Sequence, residues 1–424
     1  MTEEFLQFIW NYILYDPSSL KTVKEEQITV IKPGEHNSNA GPDFLNAKLK
    51  IGDTVWAGNV EIHINSSDWK KHNHQDDKTY NSVILHVVHK NDCEIHLQDG
   101  SPVPTLELKF DIKIYEHYQQ LIGSKNTWIP CQDEIQKIDP FNYFFWLESL
   151  TVERLQEKSE IILFTLRQLK NDWSETFYIH IARNFGFRVN SDPFEMLARS
   201  LPLKYLAKHK DNLLQIESLV FGQSGFLNEE NGDEYYLKLV REYKILKAKF
   251  ELKPLEKHIW KFLRLRPDNF PTIRLAQFSD MIYKSSFLFT KIIDTKNLKT
   301  LQKYFDIHAS EYWNTHYQFG TKSASERIKA FGKNSFNNIV INTIAPFLFL
   351  YGLENGKENF RERALNILAQ TDPEENTIIK NWIKLGFYPK SAFETQGMLQ
   401  LKNNFCDKRR CLKCHVGNKI ISTL

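Results

Sequence analysis

The sequence predicts an α/β domain at the front and a longer, mostly helical region behind it, and three observations lead there. Runs of β-branched and alternating residues crowd the first 110 positions and fade after Lys113. Helix-opening Asp-Pro pairs recur only beyond that point, at Asp139-Pro140, Asp192-Pro193 and Asp372-Pro373. The 424 residues are too many for one ordinary core, and an apolar share of 42% is enough to fill two.

Taken in order, Phe5, Phe8, Ile9, Tyr12 and Ile13 fall at helical spacing, so a first helix is expected from Glu3 to Tyr15, stopped by Asp16-Pro17. Strands follow at 28–31, 44–51, 55–64, 83–88 and 105–110, punctuated by Pro33-Gly34 and Gly41-Pro42. A helix over 66–78, capped by Ser66 or Ser67 with Asp68 near its positive end, would join the third strand to the fourth. The rear helices are expected to open at Asp139, Asp192 and Asp372, with a capped entry at 331–338. The domain plan is therefore 1–112 for the α/β domain, 113–138 for a connector, 139–400 for the helical domain and 401–424 for a basic, Cys-containing tail.

Composition narrows the class. No low-complexity tract or Pro/Gly/Ser linker points to disorder. The longest apolar run, Ile339 to Leu350, contains Asn342, Thr343 and Pro346 and is well short of the roughly 20 residues a span requires, so a buried helix is expected and no membrane. Glu3 and Glu4 stand where a signal peptide has basic residues, and a cytoplasmic location is the expectation. The net charge of +3 is unevenly spread: residues 1–110 carry −6, while 401–424 hold six Lys/Arg against one Asp. An acidic front and a basic rear suit a metal site served by a surface that holds a polyanion.

Asp43 lies where a strand begins after Gly41-Pro42, and Glu61 and His63, two apart on the next strand, project from one face. Carboxylates that converge this way can hold Mg²⁺ or Mn²⁺ for phosphodiester chemistry, the metal activating water and neutralising developing charge. The string Gly41-Pro42-Asp43, a gap of seventeen residues, and Glu61-Ile62-His63 resembles the PD-(D/E)xK nuclease core over about residues 1–110. That resemblance implies a restriction-endonuclease-like mixed sheet with flanking helices, Asp43 and Glu61 as metal ligands, and a catalytic Lys that this chain replaces with His63. A neutral imidazole can act as a base near pH 7 or bind metal, and Lys48 or Lys50 on the preceding strand is a candidate for the missing cation. Along nearly its whole length the chain also resembles an uncharacterised bacterial family of unknown function, which supplies no activity.

Asp68, Trp69, His72, His74 and Asp77 form a second polar string, and His86 lies inside the next apolar run. Convergence of His63, His72, His74 and His86 would make a Zn²⁺ or Fe site instead. The alternative is a hydrogen-bonded core His86 with His72, His74, His89 and His96 partly exposed. Further along, Arg264, Arg266 and Arg274 surround two prolines, a rigid turn whose donors could grip the phosphates of a nucleic acid. Phe221-Gly222-Gln223-Ser224-Gly225 has the wrong spacing for a serine nucleophile.

Cys406, Cys411 and Cys414 form C-x₄-C-x₂-C, a spacing used by thiolate metal sites, with either the adjacent His415 or the distant Cys131 as fourth ligand and Zn²⁺ or [4Fe-4S] as the group held. The Cys131 option resembles nucleases whose cluster is held by one distant Cys and three C-terminal ones. Cys93 stands alone. The leading expectation is a metal-dependent nuclease-like protein acting on nucleic acid, DNA before RNA. The alternatives are an inactive nucleic-acid-binding or scaffold protein and a His-liganded Zn/Fe hydrolase of small molecules.

Overall fold

A computed structural model describes residues 1–423 apart from 38, 125, 230 and 286. It divides the chain into two compact units, Met1–Trp146 with Leu401–Leu424, and Leu147–Gln400. The division differs from the sequence plan at both ends: the segment 401–424 folds as part of the first unit rather than as a tail, and the long helix opened by Pro140 starts in that unit.

The first unit is built on a six-stranded mixed sheet. Helix α1 (Glu3–Asn11) precedes β1 (Ile28–Lys32), β2 (Glu35–His36), β3 (Phe44–Ile51), β4 (Thr54–Asn65), β5 (Val83–Lys90) and β6 (Thr105–Glu107). The order is β1-β3-β4-β5-β6 with β2 also on β3. β1, β3 and β4 pair antiparallel, and β5 and β6 add in parallel. Parallel pairing needs a crossover, and here residues 66–82 supply it. That crossover is not the full helix expected over 66–78. It holds only α2 (Asp68–Lys71) and two 3-10 turns, His74–Asp76 and Lys78–Ser82, because Asn73 takes a left-handed φ of 59° and breaks the run. α1 likewise ends four residues early, with Ile13 at φ 53°.

Two local features set the site. Gly58 lets β5 approach β4, since a Cβ there would lie 2.5 Å from Ile84 Cγ2 and 2.6 Å from Ser82 O. A bulge at Asn46 (φ 58°) shifts the register between Phe44 and Ala47. One extra residue reverses the alternation. Ala47, Leu49 and Ile51 therefore enter the core together with Phe44, while Asp43 stays opposite Glu61 on the other face.

After α3 (Ile112–Gly123), α4 (Pro140–Gln168) opens at Asp139 as expected. The second unit is helical, with one two-stranded ribbon, His316–Gln318 with Thr321–Lys322. Asp372-Pro373 does not start a helix; the next one, Thr377–Lys384, is capped by Asn376, whose side chain accepts from Ile379 N at 3.0 Å. Asp192 lies inside the first turn of Ser191–Ser200 rather than at its cap. The continuous helical stretch Lys333–Glu354 is the one described segment long and apolar enough to cross a membrane. Its most apolar window is 72% buried inside the protein, which is the state of a core helix.

Candidate metal centre

Glu61 and His63 project from one face of β4, and the parallel register sets Glu61 beside His86 on β5. Asp43 joins them from β3. Its N–H donates to Glu61 Oε2 at 3.0 Å, and its own Oδ2 accepts from Ile62 N at 3.0 Å. The two carboxylates are thus locked to each other through backbone. The crossover segment then returns over this face with His72 at the end of α2 and His74 in the following turn, stacked on Tyr80 at 3.7 Å between ring centroids.

Three imidazoles come together here. One ring nitrogen each from His63, His72 and His74 lies within 4.8 Å of the others, the one such group among the described residues. His63 Nε2 is 3.0 Å from His72 Nδ1 and 3.5 Å from Glu61 Oε1, and His74 Nε2 is 3.3 Å from the same Glu61 oxygen. A cation about 2.1 Å from each donor requires donor–donor edges of roughly 3 to 3.4 Å. The His63–His72, His74–Glu61 and His63–Glu61 edges, at 3.0, 3.3 and 3.5 Å, fall close to that spacing. His74 Nε2 is buried and makes no hydrogen bond, although an ordinary buried ring nitrogen would have a partner. His63 Nδ1 contacts His86 Nε2 at 2.8 Å, the second contact that typically fixes the tautomer of a ligating imidazole.

The electrostatics point the same way. Burial, then the adjacent Asp43, pushes the Glu61 carboxyl well above its usual range, and burial raises Asp43 too. Burial, with the charges of His74 and His72 adding to it, pulls His63 down to about 3, so its ring is neutral and its lone pair available at physiological pH. His86 is held neutral by deeper burial. Two carboxylates that resist ionising beside His63, His74 and His86, which resist protonation, form a site that a divalent cation would suit.

Glu3 and Gln7, one turn apart on α1, complete the rim and were not singled out from sequence. Gln7 hydrogen-bonds Asp43, and burial raises Glu3, which lies close enough for His72, Asp43, Asp68 and His74 to act on it. Their i, i+4 spacing, which puts both on one face of α1, is the signal that could have found them.

Other expected residues are elsewhere. Asp68 serves its own loop, accepting from Asn65 N at 2.9 Å and pairing with Lys71. Lys48 is exposed on β3 on the same face as Asp43, but it stands cross-strand from Ala57, four positions along β4 from Glu61. Arg274 cannot grip a phosphate: it is 6% exposed in the helix Pro271–Lys284, bonded to Gln277, Asn269 and Ser335 and stacked over Phe187 at 4.4 Å. Arg264 and Arg266 remain exposed. Ser224 ends a helix and donates to Val220 O, as its unsuitable spacing implied.

A family model described as "Protein of unknown function (DUF2851)" matches residues 3–377. The chain belongs to the DUF2851 family. The matched span of this DUF2851 protein includes every residue of the imidazole and carboxylate group as well as Cys131, and stops before Cys406. No curated protein and no solved structure matches it.

Proposed function

We propose that this DUF2851 protein is a metal-dependent hydrolase of phosphodiester bonds, with nucleic acid as the substrate class. The observation that carries the reading is the donor set His63, His72, His74 and Glu61 at metal-ligand edge lengths, with Asp43 against it. Imidazole ligands favour Mn²⁺, Fe²⁺ or Zn²⁺ over Mg²⁺, which prefers oxygen. A bound cation would polarise a phosphoryl oxygen and lower the pKa of its water. Asp43, or Glu3 at the rim, would take the proton from that water.

What supports a phosphodiester is the frame. An antiparallel β1-β3-β4 meander followed by a parallel β5, with Asp43 entering β3 and Glu61 on β4, agrees with the order of a PD-(D/E)xK core. The His in place of the motif Lys then supplies a ligand rather than a cation.

The test is cleavage of labelled single- and double-stranded DNA and RNA, and of a chromogenic phosphodiester, with Mn²⁺, Fe²⁺, Zn²⁺ or Mg²⁺, using wild type and His72→Ala. Metal-dependent cleavage of a polymer, lost in the variant, supports the reading. Cleavage of the small diester alone moves the substrate class to small molecules. Nucleic-acid binding without cleavage under any metal replaces the enzyme with an inactive nucleic-acid-binding protein, the second reading, which the departure of His63 from the motif Lys favours.

A further inference from the structure

Four of the five cysteines belong to one place in the first unit. Cys131 follows α3 in a turn whose carbonyl accepts from Glu134 and Ile135. Cys406 ends the helical segment Leu401–Cys406, Cys411 opens the short turn Cys411–Lys413, and Cys414 caps the terminal helix His415–Ser422. Two contacts draw the distant segments together: Arg409 donates to the carbonyls of Ile122 and Ser124, and the Lys402 ammonium sits 5.1 Å from the centre of the Trp128 ring. None of the four thiols is in a disulfide, and Cys131, Cys411 and Cys414 are buried.

The thiols share one electrostatic space. Burial raises the pKa of each, and after burial the leading influences on Cys406 are Cys131, Cys414 and Cys411, while those on Cys131 are Cys414 and Cys411. Several groups are already turned to receive a charged sulfur. The backbone of Val416 and Gly417 lies against Cys414, Lys402 acts on Cys406, and Arg409 on Cys411. Gly417 is required for this: a Cβ there would meet Cys411 O at 2.3 Å, so the terminal helix is pressed against the Cys411 turn.

Spacing distinguishes what the thiols would hold. A single tetrahedral zinc about 2.3 Å from each sulfur brings the sulfurs to about 3.8 Å from one another. Among the described residues the imidazole group is the one whose donor atoms lie within 4.8 Å of one another, and no three of the thiols form such a group. In a four-iron cluster each thiolate binds its own iron, and the sulfurs stand correspondingly farther apart. Such a cluster with four thiolates carries net negative charge, which Lys402 and Arg409, the cations that act on Cys406 and Cys411, would offset.

We propose that Cys131, Cys406, Cys411 and Cys414 hold a [4Fe-4S] cluster that fastens the C-terminal segment to the first unit. The assignment is independent of the imidazole centre and of the hydrolase reading. Its test uses the full chain purified without oxygen as wild type, Cys411→Ser and Cys93→Ser, with iron, acid-labile sulfide and zinc measured beside the absorption spectrum. The expected result is about four irons and four sulfides per chain with broad visible absorption, retained in Cys93→Ser and lost in Cys411→Ser. Loss should also expose 401–424 to limited proteolysis. One zinc per chain, removed by Cys411→Ser, would overturn the cluster in favour of a mononuclear site. If Cys411→Ser fails to accumulate, reconstitution of wild type with iron and sulfide decides, and a chain that takes up neither iron nor zinc overturns the proposal.

Discussion

Each unit buries a titratable group that burial drives toward its neutral form, Lys158 in the second and Glu61 in the first, and the two are surrounded differently. In the second unit Lys158 is enclosed, yet its ammonium meets three acceptors: Gln396 Oε1 at 2.7 Å, Asn342 Oδ1 at 2.9 Å and Ile341 O at 3.2 Å. Arg154 beside it bonds Gln396 and Gln400, and Gln400 in turn donates to Glu153 and Glu157. In the first unit Glu61 faces another carboxylate, His74 Nε2 has no hydrogen bond, and neither does His86 Nδ1. A closed network is self-sufficient and holds helices in register. An open one leaves room for a further partner, and the proposed cation is such a partner.

The contrast can be broken most forcefully at Lys158. Lys158→Met should cost about 3–5 kcal/mol in urea unfolding, because it strands buried acceptors that the ammonium served. Glu61→Gln should do the reverse in metal-free protein: stability holds or rises, since a carboxyl that burial and Asp43 oppose is removed. The same variant should weaken Mn²⁺ or Zn²⁺ binding at least 100-fold, read by calorimetry. A loss of metal-free stability as large as that of Lys158→Met would show that Glu61 is structural. His86→Phe removes the contact behind His63 and should weaken metal binding by about 10- to 100-fold, the range of second contacts on ligating imidazoles.

A subtler distinction lies in pH. Burial holds Lys158 at about 7, below its ordinary value of 10.5. The folded state then binds fewer protons than the unfolded one, so this contribution is full above pH 10.5 and is lost as pH falls to about 7. His63, lowered from 6.5 to about 3, acts in the same sense but in a lower window, its contribution disappearing between pH 6.5 and 3. Glu61 is raised and so opposes it: its contribution is full below 4.5 and is lost as pH rises through its elevated pKa, where a bound cation would restore it. Hydrogen exchange followed separately at β5 and at the core helix Ala345–Glu354 should show protection rising with pH between about 7 and 10.5 in the second unit and falling with pH between 4.5 and about 9 in the first. Saturating metal should flatten the first unit's profile near neutral pH and leave the other's unchanged.

Much of this was legible in the chain itself. The strand runs, the helix opened by Asp139-Pro140, the buried state of 339–350 and the pairing of Asp43 with Glu61 follow from periodicity and turn chemistry, which act over a few residues. The string from Asp68 to Asp77 announced its histidines but not which would converge. That depended on Asn73 adopting a left-handed φ, which breaks the helix expected over 66–78 and brings His72 and His74 together over β4. Arg274 looked like a phosphate donor because its sequence neighbours are Arg and Pro. Only packing beneath Phe187 and Phe331 shows it as a core residue. The four cysteines were visible as a spacing, while the approach of Cys131 to the other three required segments 275 residues apart to meet. Local pattern fixes what one stretch can become. Which stretches share a volume is set by the burial of the whole chain, and the imidazole group, the inward Arg and the thiol group were all decided there.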